Sequence, residues 1–166
     1  MNIFYTHSDP VVCAEHHCYI HVRKQILEYC QMLSTAHHLC DGLTEGIYKK
    51  THANHPSSVW VRQSSDHYEW LWLCTKRLCE LYTERSGKRH KTEDVLDVLV
   101  ELPSGIQCHG FINPPACVSD ELKKKAFDIG VIKAYREYLN EKFGEWLSRD
   151  KPLKVEFNVK PDWVMI

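Results

Sequence analysis

The stretch from Ser8 to Gly42 constrains this chain most, because its apolar and polar positions follow the period of one long helix. Ser8 and Asp9 are N-cap residues, and Pro10 suits a first helical turn. Gly42 is a natural C-terminal stop. At about 100° per residue, Cys18, Tyr19, Val22, Ile26, Tyr29, Cys30, Leu33, Ala36 and Cys40 share one face, the core side. The opposite face carries His17, His21, Lys24, Glu28, Gln31, Thr35 and His38 in alternating steps of four and three, which makes one continuous stripe. A face that merely meets water favours good helix formers such as Lys and Glu. This one sets three His, one Gln and one Thr beside two charged residues. His donates, accepts and ligates, so the composition points to a pocket wall.

The rest of the chain supports a mainly α fold. We expect a compact helical bundle, with residues 1–166 as a single domain, a short extended N-terminus and an extended C-terminal tail. A short helix is expected over 57–63, a second major helix over 66–85, a short one over 93–101 and a last one over 129–148 capped by Asp128. One helical turn is expected near Ser119, and residues 155–159 alternate like a strand. Residues 102–118 hold three Pro and two Gly, so they read as a long loop, a lid or a binding element. Tyr68 to Leu73 is almost wholly apolar or aromatic, too much for a helix with a solvent face, and suggests a two-fold dimer.

Charge and composition narrow the function classes. The net charge is -1, which gives no basic footprint for gripping duplex DNA by its phosphates, so duplex DNA is a possible partner but not the favoured one. No run of 18 apolar residues exists, so no membrane span is expected. The Met-Asn-Ile-Phe-Tyr start is unlike a signal peptide, which suggests a cytoplasmic protein with eight reduced Cys.

Three kinds of chemistry remain to be weighed. Cys13, His17 and His21, and the cluster His37, His38 and Cys40, lack the paired ligand motifs of zinc sites, so no metal or other cofactor is expected. Cys18 lies one turn from His21, but on the core face, where a thiol is inert. The third is a nucleotide pocket. Arg23, Lys24 and Arg62 can meet phosphates, the His and Gln of the stripe can read ribose or base edges, and Trp60 or Tyr5 can stack on a base. The candidate ligand-binding set is therefore His17, His21, Arg23, Lys24, Glu28, Gln31, His38, Asn54, His55, Trp60 and Arg62, with no catalytic residue.

The pattern Asn2-Ile3-Phe4, Asp9-Pro10, His17-Cys18, His21, Lys24, Gln31, Leu33-Ser34-Thr35-Ala36-His37, then Asn54-His55-Pro56, Trp60-Val61-Arg62, Tyr68 and Trp70-Leu71 resembles a family of small phage proteins. The resemblance covers most of residues 1–85 and, more loosely, the last helix. That family is distantly similar to the phage pyrimidine-dimer DNA glycosylases of the endonuclease V type, small helical proteins with an Ala-acid/amide-His segment on an early helix, here Ala14-Glu15-His16-His17. The resemblance implies an amine nucleophile at the N-terminus and a carboxylate after an Arg. Here Asn2 disfavours removal of Met1, and Lys24 follows Arg23 where the carboxylate would stand; Glu28 comes one turn later. The expectation is therefore a phage protein in the host cytoplasm that binds a small nucleotide-type ligand without chemistry, such as a nucleotide signal of host defence. The alternatives are a DNA glycosylase-like or base-modifying enzyme and a protein interaction module.

Overall fold

The computed structural model describes Met1 to Ile166. It is all helical: α1 (Pro10–Glu15), α2 (Tyr19–Leu39), α3 (Pro56–Gln63), α4 (Ser65–Ser86), α5 (Glu93–Val98), α6 (Asp120–Ile129) and α7 (Val131–Leu147), with no strand. The antiparallel partners α2 and α4 form the centre, with Tyr19 against Tyr82 at one end and His37 against Tyr68 at the other; α3 packs on both and α1 on α4. One cluster of 31 buried apolar residues runs from Ile3 to Val164. No helix is long and apolar enough to cross a membrane.

The single helix expected over 8–42 is broken in two. Asp9 caps α1 through Oδ1, which accepts the Val11 and Val12 amides at 2.8 and 3.0 Å. The break at His16-His17-Cys18 has tertiary causes. His17 Nδ1 donates to the Cys13 carbonyl at 2.9 Å, occupying the acceptor that a continuing helix would need. Tyr19 N–H donates to the Glu156 carbonyl of the C-terminal tail at 2.7 Å. Periodicity carries no record of either contact.

The break also moves residues between faces. His17 and His21, both expected on the polar face, are 4% exposed, and Thr35 is fully buried. Thr35 Oγ1 donates to the Thr51 carbonyl and accepts its amide, both at 3.1 Å. The lower part of the stripe thus anchors the loop after α2.

Other elements shift as well. Residues 120–129, expected as one turn, form a ten-residue helix started by Ser119, whose Oγ accepts the Leu122 amide. Gly130, not Asp128, precedes α7. Residues 155–159 pair with no strand; the tail instead packs on α7, with Phe157 edge-on to Phe143 at 5.8 Å. Residues 102–118 are strapped over α3 and α4: Trp60 Nε1 donates to the Ile112 carbonyl and the Ile112 amide donates to His67 Nε2. Of the aromatic segment of α4, Tyr68, Trp70 and Leu71 are covered within the chain. Trp70 is 6% exposed, its Nε1 donating to the Ser8 carbonyl at 2.7 Å. Trp72 is half-buried and Leu73 is 46% exposed, so part of the segment on which a dimer was expected remains at the surface.

His17 makes this fold sensitive to acid. Burial pushes its pKa down to about 4, from an ordinary 6.5. Above about pH 6.5 the ring is neutral in both the folded and the unfolded chain, and its full contribution is present. As pH falls towards 4 the unfolded chain takes up the proton first, so about 3 kcal/mol of stability is lost over that window. Burial shifts His21 in the same direction. Urea midpoints should fall steeply between about pH 6.5 and 4; equal midpoints at both ends would show that these rings are not held neutral.

Candidate functional site

The N-terminal segment is buried between α2 and α7, and a cavity of about 310 Å³ opens where the three meet. From α2 come His21, Lys24, Gln25 and Glu28, whose spacing places them on one helical face. From α7 come Tyr138, Lys142 and Trp146, spaced four apart. Met1, Asn2 and Phe4 close the third side.

Hydrogen bonds hold this N-terminal wall in place. Gln25 Nε2 donates to the Asn2 carbonyl at 2.7 Å, Asn2 Nδ2 donates to the Cys117 carbonyl at 2.8 Å, and the Tyr135 hydroxyl donates to Asn2 Oδ1 at 2.8 Å. Ser58 Oγ donates to Met1 Sδ at 3.5 Å. The Met1 amine lies 3.6 Å from Glu28 Oε2, so the cavity contains an ammonium–carboxylate pair.

Lys142 is seated among aromatic rings. Its Nζ lies 5.3 to 5.9 Å from the ring centres of Phe4, Tyr138 and Trp146, and it donates to the Tyr138 hydroxyl at 3.3 Å. Cation–π attraction holds the ammonium at the cavity wall without a carboxylate partner. Lys24 is exposed and has no ion-pair partner.

The histidines separate structural from functional roles. In three buried rings both nitrogens are occupied. His17 Nδ1 donates to the Cys13 carbonyl and Nε2 accepts the Tyr29 hydroxyl. His37 Nδ1 accepts the Leu43 amide and Nε2 donates to the Tyr68 hydroxyl. His67 Nδ1 donates to the Trp60 carbonyl and Nε2 accepts the Ile112 amide. His21 differs: its Nδ1 is buried with no partner. Its ring packs against Phe4 at 4.4 Å and Trp146 at 5.2 Å on the cavity wall. Burial first, then the positive neighbours, keep it neutral. Unpartnered buried polar atoms are costly, and this one belongs to a ring that lines the cavity.

Three of the sequence-predicted residues, His21, Lys24 and Glu28, thus line one cavity. Arg23 lines an adjoining concavity that shares Lys24. The others lie elsewhere. His17 is part of the core, and His38 Nε2 donates to the Tyr48 carbonyl. Gln31 is half-buried and lines neither cavity. Asn54 is exposed in the loop before α3, and His55 caps that helix by accepting the Ser57 amide. Trp60, expected to stack on a base, is 2% exposed and already stacked on His67 at 4.3 Å; Tyr5 is fully buried. Arg62 Nη1 donates to the carbonyls of Ala53 and Ser58, which directs it into the loop rather than towards a phosphate. Burial raises the Cys18 thiol to about 11, which rules it out as a nucleophile at neutral pH. The loop 102–118, expected as a lid, contributes no residue to the cavity.

Sequence reasoning missed Met1, Asn2, Phe4, Gln25 and the α7 wall. The spacing of Tyr138, Lys142 and Trp146 was the available signal, since a Lys on an aromatic helical stripe is out of place in a core. No group of three or more His, Cys, Asp or Glu side chains is gathered to hold a metal. No protein-family model matches the chain, and no curated protein or solved structure matches it.

His21→Leu keeps an apolar side chain against Phe4 and Trp146 while removing the orphaned nitrogen. It should raise stability by about 1 kcal/mol in urea unfolding. Lys24→Ala should stay within about ±0.5 kcal/mol. A strongly destabilised His21→Leu protein would mean that the imidazole serves the fold.

Proposed function

We propose that this cavity binds a small nucleotide-type ligand. The observation that carries the reading is His21, whose buried ring alone among those of His17, His37, His67 and His21 lacks hydrogen-bond partners, on a wall it shares with Lys24 and Lys142. A neutral imidazole supplies one donor and one acceptor, which suits a base edge or a ribose hydroxyl. The two lysines suit a phosphate, and Trp146 and Tyr138 offer aromatic surface beside them. The volume is that of a small-ligand site. In the phage setting that the sequence resemblance implies, such a protein acts in the host cytoplasm by sequestering a nucleotide signal of host defence.

One observation favours a second reading, chemistry on DNA. The Met1 amine stands 3.6 Å from Glu28, which supplies the carboxylate that Lys24 cannot. An amine beside a carboxylate is suited to imine formation with a sugar aldehyde: the nitrogen bonds to the carbonyl carbon, water leaves, and the carboxylate takes the proton released by the ammonium. Borohydride reduction in the presence of abasic DNA tests this reading. We expect no covalent adduct; a trapped adduct lost in Glu28→Gln would establish the enzyme instead.

Calorimetric titration with the four nucleoside 5′-monophosphates tests the leading reading. Lys24→Ala and His21→Leu should each weaken binding by about tenfold or more. Affinity should fall only gently with added salt, since few phosphates are engaged, whereas duplex binding falls steeply. Unchanged affinity in both variants would show that the cavity does not bind these ligands through Lys24 and His21.

A further inference from the structure

The adjoining concavity, about 390 Å³, is walled by Ile20, Arg23, Lys24, Tyr82 and His90, between the first turns of α2 and the loop after α4. Its wall contains no carboxylate, whereas the first cavity contains Glu28. Arg23 and Lys24 have neither a carboxylate partner nor a hydrogen-bond acceptor. The neighbouring arginines are neutralised: Arg77 by Glu15, Glu80 and Glu84, Arg85 by Glu156, and Arg89 by Glu93, Asp94 and Asp97. The fold therefore pairs the neighbouring arginines and leaves Arg23 and Lys24 free beside a recess.

The opposite wall is held by aromatic packing. Tyr82 stacks on Tyr19 at 6.3 Å and 11°, with the Arg85 guanidinium over the Tyr19 ring at 4.6 Å. His90 packs edge-on against Tyr82 at 4.8 Å, and its Nδ1 accepts the Thr92 amide at 3.2 Å. The Tyr82 hydroxyl has no partner in the fold and is only half-buried. A guanidinium fork, an ammonium and a phenol facing one recess form a donor set suited to a phosphate's oxygens. Lys24 belongs to both recesses, so the two are joined at one cation.

We propose that this recess is a second phosphate subsite, continuous with the first cavity through Lys24, so that the ligand carries two phosphates bridged by a nucleoside. The proposal rests on the nucleotide reading of the first cavity and narrows it. One phosphate sits at Lys24 and the next at Arg23, and the base or sugar meets His21 in the first cavity. The same chemistry is found in a free dinucleotide and in a nucleic-acid strand.

Calorimetric titration of the full chain compares the four nucleoside 5′-monophosphates with the corresponding 5′-phosphorylated dinucleotides. The dinucleotides should bind about tenfold or more tightly. Arg23→Gln should erase that gain while leaving mononucleotide affinity unchanged, and Tyr82→Phe should reduce it. Equal affinity for the two classes, or an Arg23→Gln loss shared equally by both, overturns the second subsite and leaves the first cavity's reading standing. If neither class binds, the nucleotide reading itself falls, and this proposal with it. With an Arg23-dependent gain in hand, a ten-nucleotide strand separates the sources. A further rise in affinity assigns the site to a strand; a plateau at two phosphates assigns it to a free dinucleotide.

Discussion

The burial of the extended N-terminal segment is the constraint on which the rest of the structure depends. Ile3, Phe4, Tyr5 and Thr6 lie in the core although they belong to no helix or sheet. Their backbone polar groups must therefore find partners elsewhere. The Phe4 amide donates to the Tyr29 hydroxyl, the Phe4 carbonyl accepts from Cys13 Sγ, and the Thr6 carbonyl accepts from Arg136 Nε. Asn2 adds bonds to Gln25, Cys117 and Tyr135. Helices α1, α2 and α7 are thereby joined through one strip of chain. The cavity lies beside that strip, where it meets α2 and α7.

The same constraint explains the break between α1 and α2. Tyr29 accepts the Phe4 amide and donates to His17, and His17 in turn takes the Cys13 carbonyl from the helix. Each polar group in this chain is satisfied by the next, and each ring stays neutral because burial makes its charge costly. The network exchanges helical continuity for a fixed N-terminus, and the turn so formed starts α2 in the register that brings His21, Lys24 and Glu28 to the cavity.

Set against that saturated network, the unpartnered nitrogen of His21 stands out. A protein that satisfies both nitrogens of His17, His37 and His67 has the means to satisfy a fourth ring. Residues that carry a local cost without an evident structural return are where function is sought. The cations follow the same logic: most of those around α4 and α5 are paired, while Arg23, Lys24 and Lys142 border open recesses without carboxylate partners.

The mainly helical character, the bounds of α3 and α4, and the burial of Cys18, Tyr29 and Leu33 were legible in the sequence. They rest on local periodicity and capping, which a chain carries in its own order. The polar stripe was legible as unusual, and His21, Lys24 and Glu28 were among its members. What the stripe could not reveal was its division, with His17 going to the core, Thr35 and His38 to anchoring a loop, and His21 to the cavity. Trp60 and Arg62 could not be told from ligand contacts, because their partners, Ile112 and Ala53, are met only in the folded chain. The α7 wall and the Met1–Glu28 pair join residues at opposite ends of the chain or far along it, and no spacing rule reaches across that separation. By itself the sequence determined the helical class of the chain, the main helices α3, α4 and α7, and the inward face of most apolar positions. Only the tertiary structure decided which polar groups satisfy one another and which are left facing a cavity, because that depends on long-range contacts formed by packing.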